Sequence, residues 1–258
     1  MSLSDWVSKT KKWKNMWPLY LKEYEDDTLG LNLYTFIEIM NEKMTSKETI
    51  VCDAGSAIYV PSQNLKMKEG QRFVLSGAQA DMGFALPASI GVYLADDTKN
   101  VLVFTGDGSF NTNIQELATI RNLNIPVKIF VWNNNGYLSI KNTQRKFYEG
   151  RVYGTSPDNG LWFPDIKKIA DAYEFTYYSI QKNQDLKDKA SEIIDSNTPC
   201  LIEVICQPNQ EIVPTLMLKK DPQTGYNIQC GLHDMYPFLD DNVISEEMIK
   251  WKNLSTTS

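Results

Sequence analysis

The stretch Phe104–Tyr137, FTGDGSFNTNIQELATIRNLNIPVKIFVWNNNGY, decides the fold. Gly106-Asp107-Gly108-Ser109 ends one apolar run, Val101–Gly106. Asn133-Asn134-Asn135-Gly136 ends the next, Val127–Trp132. The first reads as a continuous apolar run, as expected of a central strand in a parallel sheet, and the second as another buried strand. Between them, NIQELATIRNLN has the spacing of an amphipathic helix, and a helix is predicted to begin near Asn113. If the two strands are adjacent and parallel, both clusters lie at one edge of the sheet. Asp107 and Asn134 are then candidates to face one another.

The same alternation extends outward. LNLYTFIEIMNEKM has apolar residues at helical spacing, with Asn32 as its N-cap. TIVCDAG reads as a short buried strand ending in a glycine turn. MGFALPASIGVYLAD reads as a helix with Pro87 in its first turn. FPDIKKIADAYEF, TYYSI, NQDLKDKASEIIDS and PCLIEVIC continue as helix, strand, helix and strand. This order predicts an α/β fold, an open parallel sheet with helices on both faces. Residues 1–30 show no clean helix start and read as an arm or linker. Residues 31–207 form the main domain, and 208–258 read as an extension packing on it.

Composition narrows the function. The chain has 258 residues, 42% hydrophobic, with a formal net charge of -6. An acidic balance argues against nucleic-acid binding. No apolar run is long enough to span a bilayer, and the N-terminus lacks the apolar core of a signal peptide, so a cytoplasmic protein with no membrane contact is expected. Four cysteines without a C-x-x-C pair read as reduced, mostly buried thiols. His233 is the only histidine, which excludes a His-rich metal site, and any His-based triad would have to use it.

A carboxylate, an amide oxygen and a backbone carbonyl are hard oxygen ligands that suit Mg²⁺ or Ca²⁺. The glycines let backbone amides approach a phosphate. From Phe104 to Gln115 there is no Lys or Arg, so a diphosphate bound here needs a metal to balance its charge. Either cluster alone reads as an ordinary turn. The pair, each ending a buried strand with one helix between, is far more specific. The stretch is neither a P-loop nor a dinucleotide-binding fingerprint.

GDGSFNTNIQEL followed by NNNGY resembles the thiamine diphosphate motif, with Asp107 and Asn134 separated by 27 positions. ADMGFALPASIGVYLA and VCDAGSAIYVPSQ are similar to segments of the acetolactate synthase-like branch, a group of 2-oxoacid decarboxylases and carboligases. The likeness covers roughly residues 31–240. It implies Asp107, the Asn134 side chain and the Gly136 carbonyl as Mg²⁺ ligands. It implies Gly106, Gly108 and Ser109 at the diphosphate, and Gly55, Ser56 and Ala57 near that end of the cofactor. Met82 becomes the catalytic wedge under the thiazolium, although spacing alone favours ordinary core packing at a helix start. Tyr137 and Ile140 either line the entrance or pack within their loop. Glu116 reads as a helix-face carboxylate.

In this family a glutamate that activates the aminopyrimidine belongs to a separate pyrimidine-binding domain, usually of another subunit. No second α/β domain is legible here. The resemblance therefore implies the diphosphate-binding half of an enzyme, either a piece of a longer chain or one subunit of a split one. Such a half is inactive on its own, assembles as a homo- or hetero-oligomer, and acts on a small 2-oxoacid. A non-catalytic cofactor-binding module shares every local feature.

Overall fold

The computed structural model describes residues 2–97, 100–221 and 223–247. They divide into two compact units, Tyr20–Glu211 and the described residues before and after it. The arm contains a helix, α1 (Leu3–Met16), capped by Ser2, whose hydroxyl accepts from the Asp5 amide while Asp5 reaches back to Ser2. This start signal, Ser-Leu-Ser-Asp, is a variant of the capping box with Asp in place of Glu. In the same unit the Glu247 carboxylate takes Trp13 Nε1 at 2.9 Å and Lys12 Nζ at 3.2 Å.

The larger unit runs α2 (Leu33–Lys43), β1 (Glu48–Cys52), α3 (Ser56–Asn64), β2 (Arg72–Leu75), α4 (Ala85–Ala95), β3 (Asn100–Gly106), α5 (Asp107–Thr112), α6 (Glu116–Asn122), β4 (Lys128–Asn133), α7 (Leu138–Phe147), α8 (Ile166–Tyr173), β5 (Thr176–Ile180), α9 (Asn183–Asp195) and β6 (Cys200–Ile205). A short hairpin, β7 (Leu218–Lys220) and β8 (Asn227–Gln229), lies in the other unit. The six strands β1–β6 form one parallel sheet in the order β2-β1-β3-β4-β6-β5. The fold is thus α/β, as the strand–helix alternation predicts. No helix among the described residues is long and apolar enough to cross a membrane.

Both faces of the sheet are covered, which is why its central strands are mostly apolar. Lys128 of β4 is buried, and its Nζ donates to the Pro126 carbonyl at 2.6 Å. Val51, Val103, Ile129, Val131 and Leu201 pack on one face with Leu86, Leu117, Ile120 and Ile169 from α4, α6 and α8. On the other face Phe36 of α2 meets Phe104, Phe130 and Trp132 edge-on, with ring centroids 5.3–5.6 Å apart. Burying each such ring contributes roughly 1.5–3 kcal/mol. Asn32 caps α2, its side chain accepting from the Tyr34 amide. All four cysteines are free and buried, and burial pushes the Cys52 and Cys206 thiols well up.

One expectation is corrected. The helix after β3 begins at Asp107, not near Asn113. Asn111 Nδ2 donates to the Asp107 carbonyl at 2.7 Å, which helps hold that first turn. The helix breaks at Asn113, whose side-chain Nδ2 donates to the Gly83 carbonyl at 2.9 Å, and resumes as α6.

Candidate functional site

The register fixes the site. Cys52 pairs with Phe104 and Gly106 with Trp132, so β1, β3 and β4 end nearly level. Asp53, Asp107 and Asn134 leave the carboxyl ends of three neighbouring strands. The chain crosses from β1 to β2 on one side and returns to β3 on the other. Such reversals open the crevice in which α/β sheets bind ligands.

Asp107 is 3% exposed. Burial pushes its carboxyl up to about 6, although amides of Gly136, Gly108, Asn135 and Asn134 pull in the opposite direction. The Gly108 amide donates to Oδ1 at 2.7 Å and the Gly136 amide to Oδ2 at 3.0 Å. The asparagine run is a built turn. Asn133 Oδ1 accepts the Asn135 amide at 3.0 Å, and Asn135 takes the left-handed φ of 60° that such turns demand. The Tyr137 amide donates to the Thr155 carbonyl at 2.9 Å. A Cβ at Gly136 would lie 2.2 Å from that carbonyl oxygen, so only glycine fits.

Every sequence-predicted site residue comes together. Gly55, Ser56, Ala57, Met82, Gly106, Asp107, Gly108, Ser109, Asn134, Gly136 and Tyr137 all line one cavity of about 240 Å³. Ile140 lines it too, whereas Glu116 does not. His233 is exposed in the other unit. Tyr137 lies flush against Gly108, where a Cβ would come 2.1 Å from the ring, and it meets Phe163 edge-on at 5.6 Å.

The donor chemistry is specific. Asn134 Oδ1 is buried without a hydrogen-bond partner, a costly state unless something outside the chain binds it. The Gly136 carbonyl accepts only the Leu138 amide, at 3.1 Å, among the bonds found for it, which leaves a lone pair. No Lys, Arg or His lines the cavity among the described residues. Nor does any group of three His, Cys, Asp or Glu among them suit a metal. A cation here would rest on one carboxylate, an amide and a carbonyl, and complete its shell with oxygens from a ligand or water. That is the habit of Mg²⁺. The first turn of α3 also borders the cavity through Ser56 and Ala57, and no side chain caps this helix start, a setting that suits an anion.

Sequence reasoning missed Asp53. It is 1% exposed and gathers the amides of Gly83 at 2.8 Å and Ala85 at 3.1 Å, with the Thr105 hydroxyl at 3.2 Å. It pins the loop carrying Met82 to the ends of β1 and β3. The signal available was a carboxylate directly after a buried strand. Its partners 30 and more positions away gave no local sign. Leu33, Tyr59, Trp132 and Ser139 are further unforeseen lining residues.

With this geometry in place, the similarities are informative. Residues 53–204 match the family model described as thiamine pyrophosphate enzyme, C-terminal TPP binding domain. The chain is 30% identical over 213 residues to the acetolactate synthase large subunit of Cyanidium caldarium, covering 82% of this chain and 35% of that protein. It is 30% identical over 213 residues to the large subunit of Lactococcus lactis subsp. lactis (strain IL1403), covering 83% and 36%. To the mitochondrial acetolactate synthase of Schizosaccharomyces pombe it is 31% identical over 214 residues, covering 81% and 31%. The chain thus spans about a third of the length of these relatives.

Proposed function

The chain belongs to the family of C-terminal thiamine pyrophosphate (thiamine diphosphate) binding domains, and from that premise we propose that it is the diphosphate- and Mg²⁺-binding half of a 2-oxoacid decarboxylase or carboligase of the acetolactate synthase type. The observation that carries this reading is the buried, unpartnered Asn134 Oδ1 in the cavity that Asp107 lines. Asp107, Asn134 Oδ1 and the Gly136 carbonyl hold Mg²⁺. Gly106, Gly108 and Ser109 receive the diphosphate, with Gly55, Ser56 and Ala57 at the start of α3. Met82 supports the thiazolium. Tyr137 packs on Gly108 and shapes the wall, while Leu33 and Ile140 keep part of the cavity dry.

When bound, thiamine diphosphate supplies the electron sink for decarboxylation of a 2-oxoacid. This chain's residues hold the anionic end of the cofactor and fix its direction. A pyrimidine-binding domain, from another chain or another segment, supplies the glutamate at the other end, so the working enzyme is a homo- or hetero-oligomer. The test is a thermal-shift titration. Thiamine diphosphate with Mg²⁺ should raise Tm, and Asp107→Ala should abolish the Mg²⁺-dependent part. An unchanged shift in that variant would refute the metal assignment. Adding a pyrimidine-binding chain should then restore 2-oxoacid decarboxylation that the chain alone lacks.

A further inference from the structure

Glu203 is the one charged residue in the run Cys200–Ile205 of β6, where register sets it opposite Val131 and Ser179. A carboxylate in such a strand needs partners. It has two. Asn133 Nδ2 donates to Oε1 at 2.6 Å, and the Tyr177 hydroxyl of β5 donates to Oε2 at 2.5 Å. Burial, with the Glu203 carboxylate next, pushes the Tyr177 phenol up to about 12, so it stays a donor.

The Asn133 side chain then has its other end committed. Its Oδ1 takes the Asn135 amide at 3.0 Å and closes the turn that presents Asn134 and Gly136 to Asp107. That turn packs closely only at Gly136, against the Thr155 backbone, and cavities border its asparagines. On one side lies the cavity of about 240 Å³. On the other, Asn133, Asn135, Tyr177 and Glu203 line a second cavity of about 420 Å³ that also reaches Asp107. With cavities beside them, the asparagines are positioned largely by hydrogen bonds, those of Asn133 among them.

We propose that Glu203 is a positioning residue of the cation site, acting through Asn133 to hold the asparagine turn in its binding geometry. The inference rests on the Mg²⁺ reading above and extends it to the neighbouring strands. Partners one step behind the ligands orient them and set metal affinity, and their loss typically costs roughly ten- to a hundredfold. Glutamine at this position preserves the relay, because its oxygen accepts from Asn133 while its amide donates to the Tyr177 oxygen. Alanine removes it.

The experiment titrates Mg²⁺ into the full chain at fixed thiamine diphosphate and reads the half-maximal concentration of the Tm rise, alongside the ligand-free Tm. Glu203→Ala should raise the half-maximal Mg²⁺ concentration about tenfold, and Glu203→Gln should restore it to within about twofold of wild type. Asn133→Asp, which keeps the acceptor but loses the donor towards Glu203, should match the alanine variant, and it carries the test if Glu203→Ala does not fold. A lower ligand-free Tm with an unchanged half-point in the folded variants would make Glu203 merely structural and overturn the proposal. A wild-type chain without any Mg²⁺ response would overturn the metal reading and this inference with it.

Discussion

The Gly136 amide donates to Asp107 Oδ2 at 3.0 Å, which ties the turn after β4 to the carboxylate that follows β3. One hydrogen bond across 29 positions of sequence joins the two halves of the site.

The first prediction follows from the Asp107 carboxyl, which burial raises from 3.8 to about 6. The folded chain binds this proton more tightly than the unfolded chain. Its contribution to stability is therefore complete below about pH 4 and is lost as pH rises to about 6. The amount is on the order of 3 kcal/mol for a shift of about two units. Denaturant unfolding of the ligand-free protein across this window should show the decline, and Asp107→Asn should lack it. Equal slopes in both proteins would show that Asp107 is not the titrating group. With thiamine diphosphate present, apparent Mg²⁺ affinity should fall below about pH 6, because the proton competes with the cation.

Asn134 gives a prediction in which stability and binding part company. Its Oδ1 is buried without a hydrogen-bond partner within the chain. Such a group costs about 1–3 kcal/mol. Asn134→Ala should therefore leave the ligand-free Tm unchanged or slightly higher, yet lose the Mg²⁺-dependent rise with thiamine diphosphate. A variant that is much less stable but keeps that rise would place the oxygen outside the cation site.

Gly108 and Tyr137 should be energetically coupled. A Cβ at Gly108 would stand 2.1 Å from one ring carbon of Tyr137 and 2.6 Å from another. The ring is itself braced by Phe163. Gly108→Ala should cost about 1–3 kcal/mol, the usual range for overpacking. In a double-mutant cycle with Tyr137→Ala, the clash disappears, and the coupling should exceed about 0.5 kcal/mol. Strict additivity would mean that the strain lies elsewhere.

What the chain disclosed on reading follows from how local each signal is. Val101–Gly106 and Val127–Trp132 are mainly apolar, with Thr105 and Lys128 as exceptions, because both sheet faces are covered, so β3 and β4 were legible. Their shared edge then brought Asp107 and Asn134 together. α7 was not legible, because Leu138–Phe147 buries only Leu138 and its remaining residues are mostly polar. β2 hid for a similar reason, as an edge strand whose four residues are only partly buried or exposed. Gly-Asp-Gly-Ser reads as a turn by composition. In the fold it opens a helix, since the Asp107 carboxylate finds the Gly108 and Gly136 amides. The Glu203 relay spans β4, β5 and β6, so no window of sequence contains it.

The last prediction concerns Asp53. Four donors converge on its buried carboxylate: the amides of Ala54, Gly83 and Ala85 and the Thr105 hydroxyl. No lysine or arginine is needed, because amides can satisfy a carboxylate fully. Two of these amides flank the turn at Gly83, whose φ of 84° suits glycine, and Met82 stands directly before it. Asp53→Asn substitutes an NH₂ group for one acceptor oxygen and turns it against at least one buried amide. Leaving a buried donor unpaired costs about 1–3 kcal/mol, and the loss should be local. Hydrogen exchange should quicken at Gly83 and Ala85 by tenfold or more, on the order of 1.4 kcal/mol, while amides in β3 and β4 exchange as before. With Met82 no longer fixed, thiamine diphosphate should also stabilise the variant less at a given Mg²⁺ concentration. Uniform acceleration across the sheet would instead mark Asp53 as part of the global core, and unchanged exchange at Gly83 would remove it from the support of Met82.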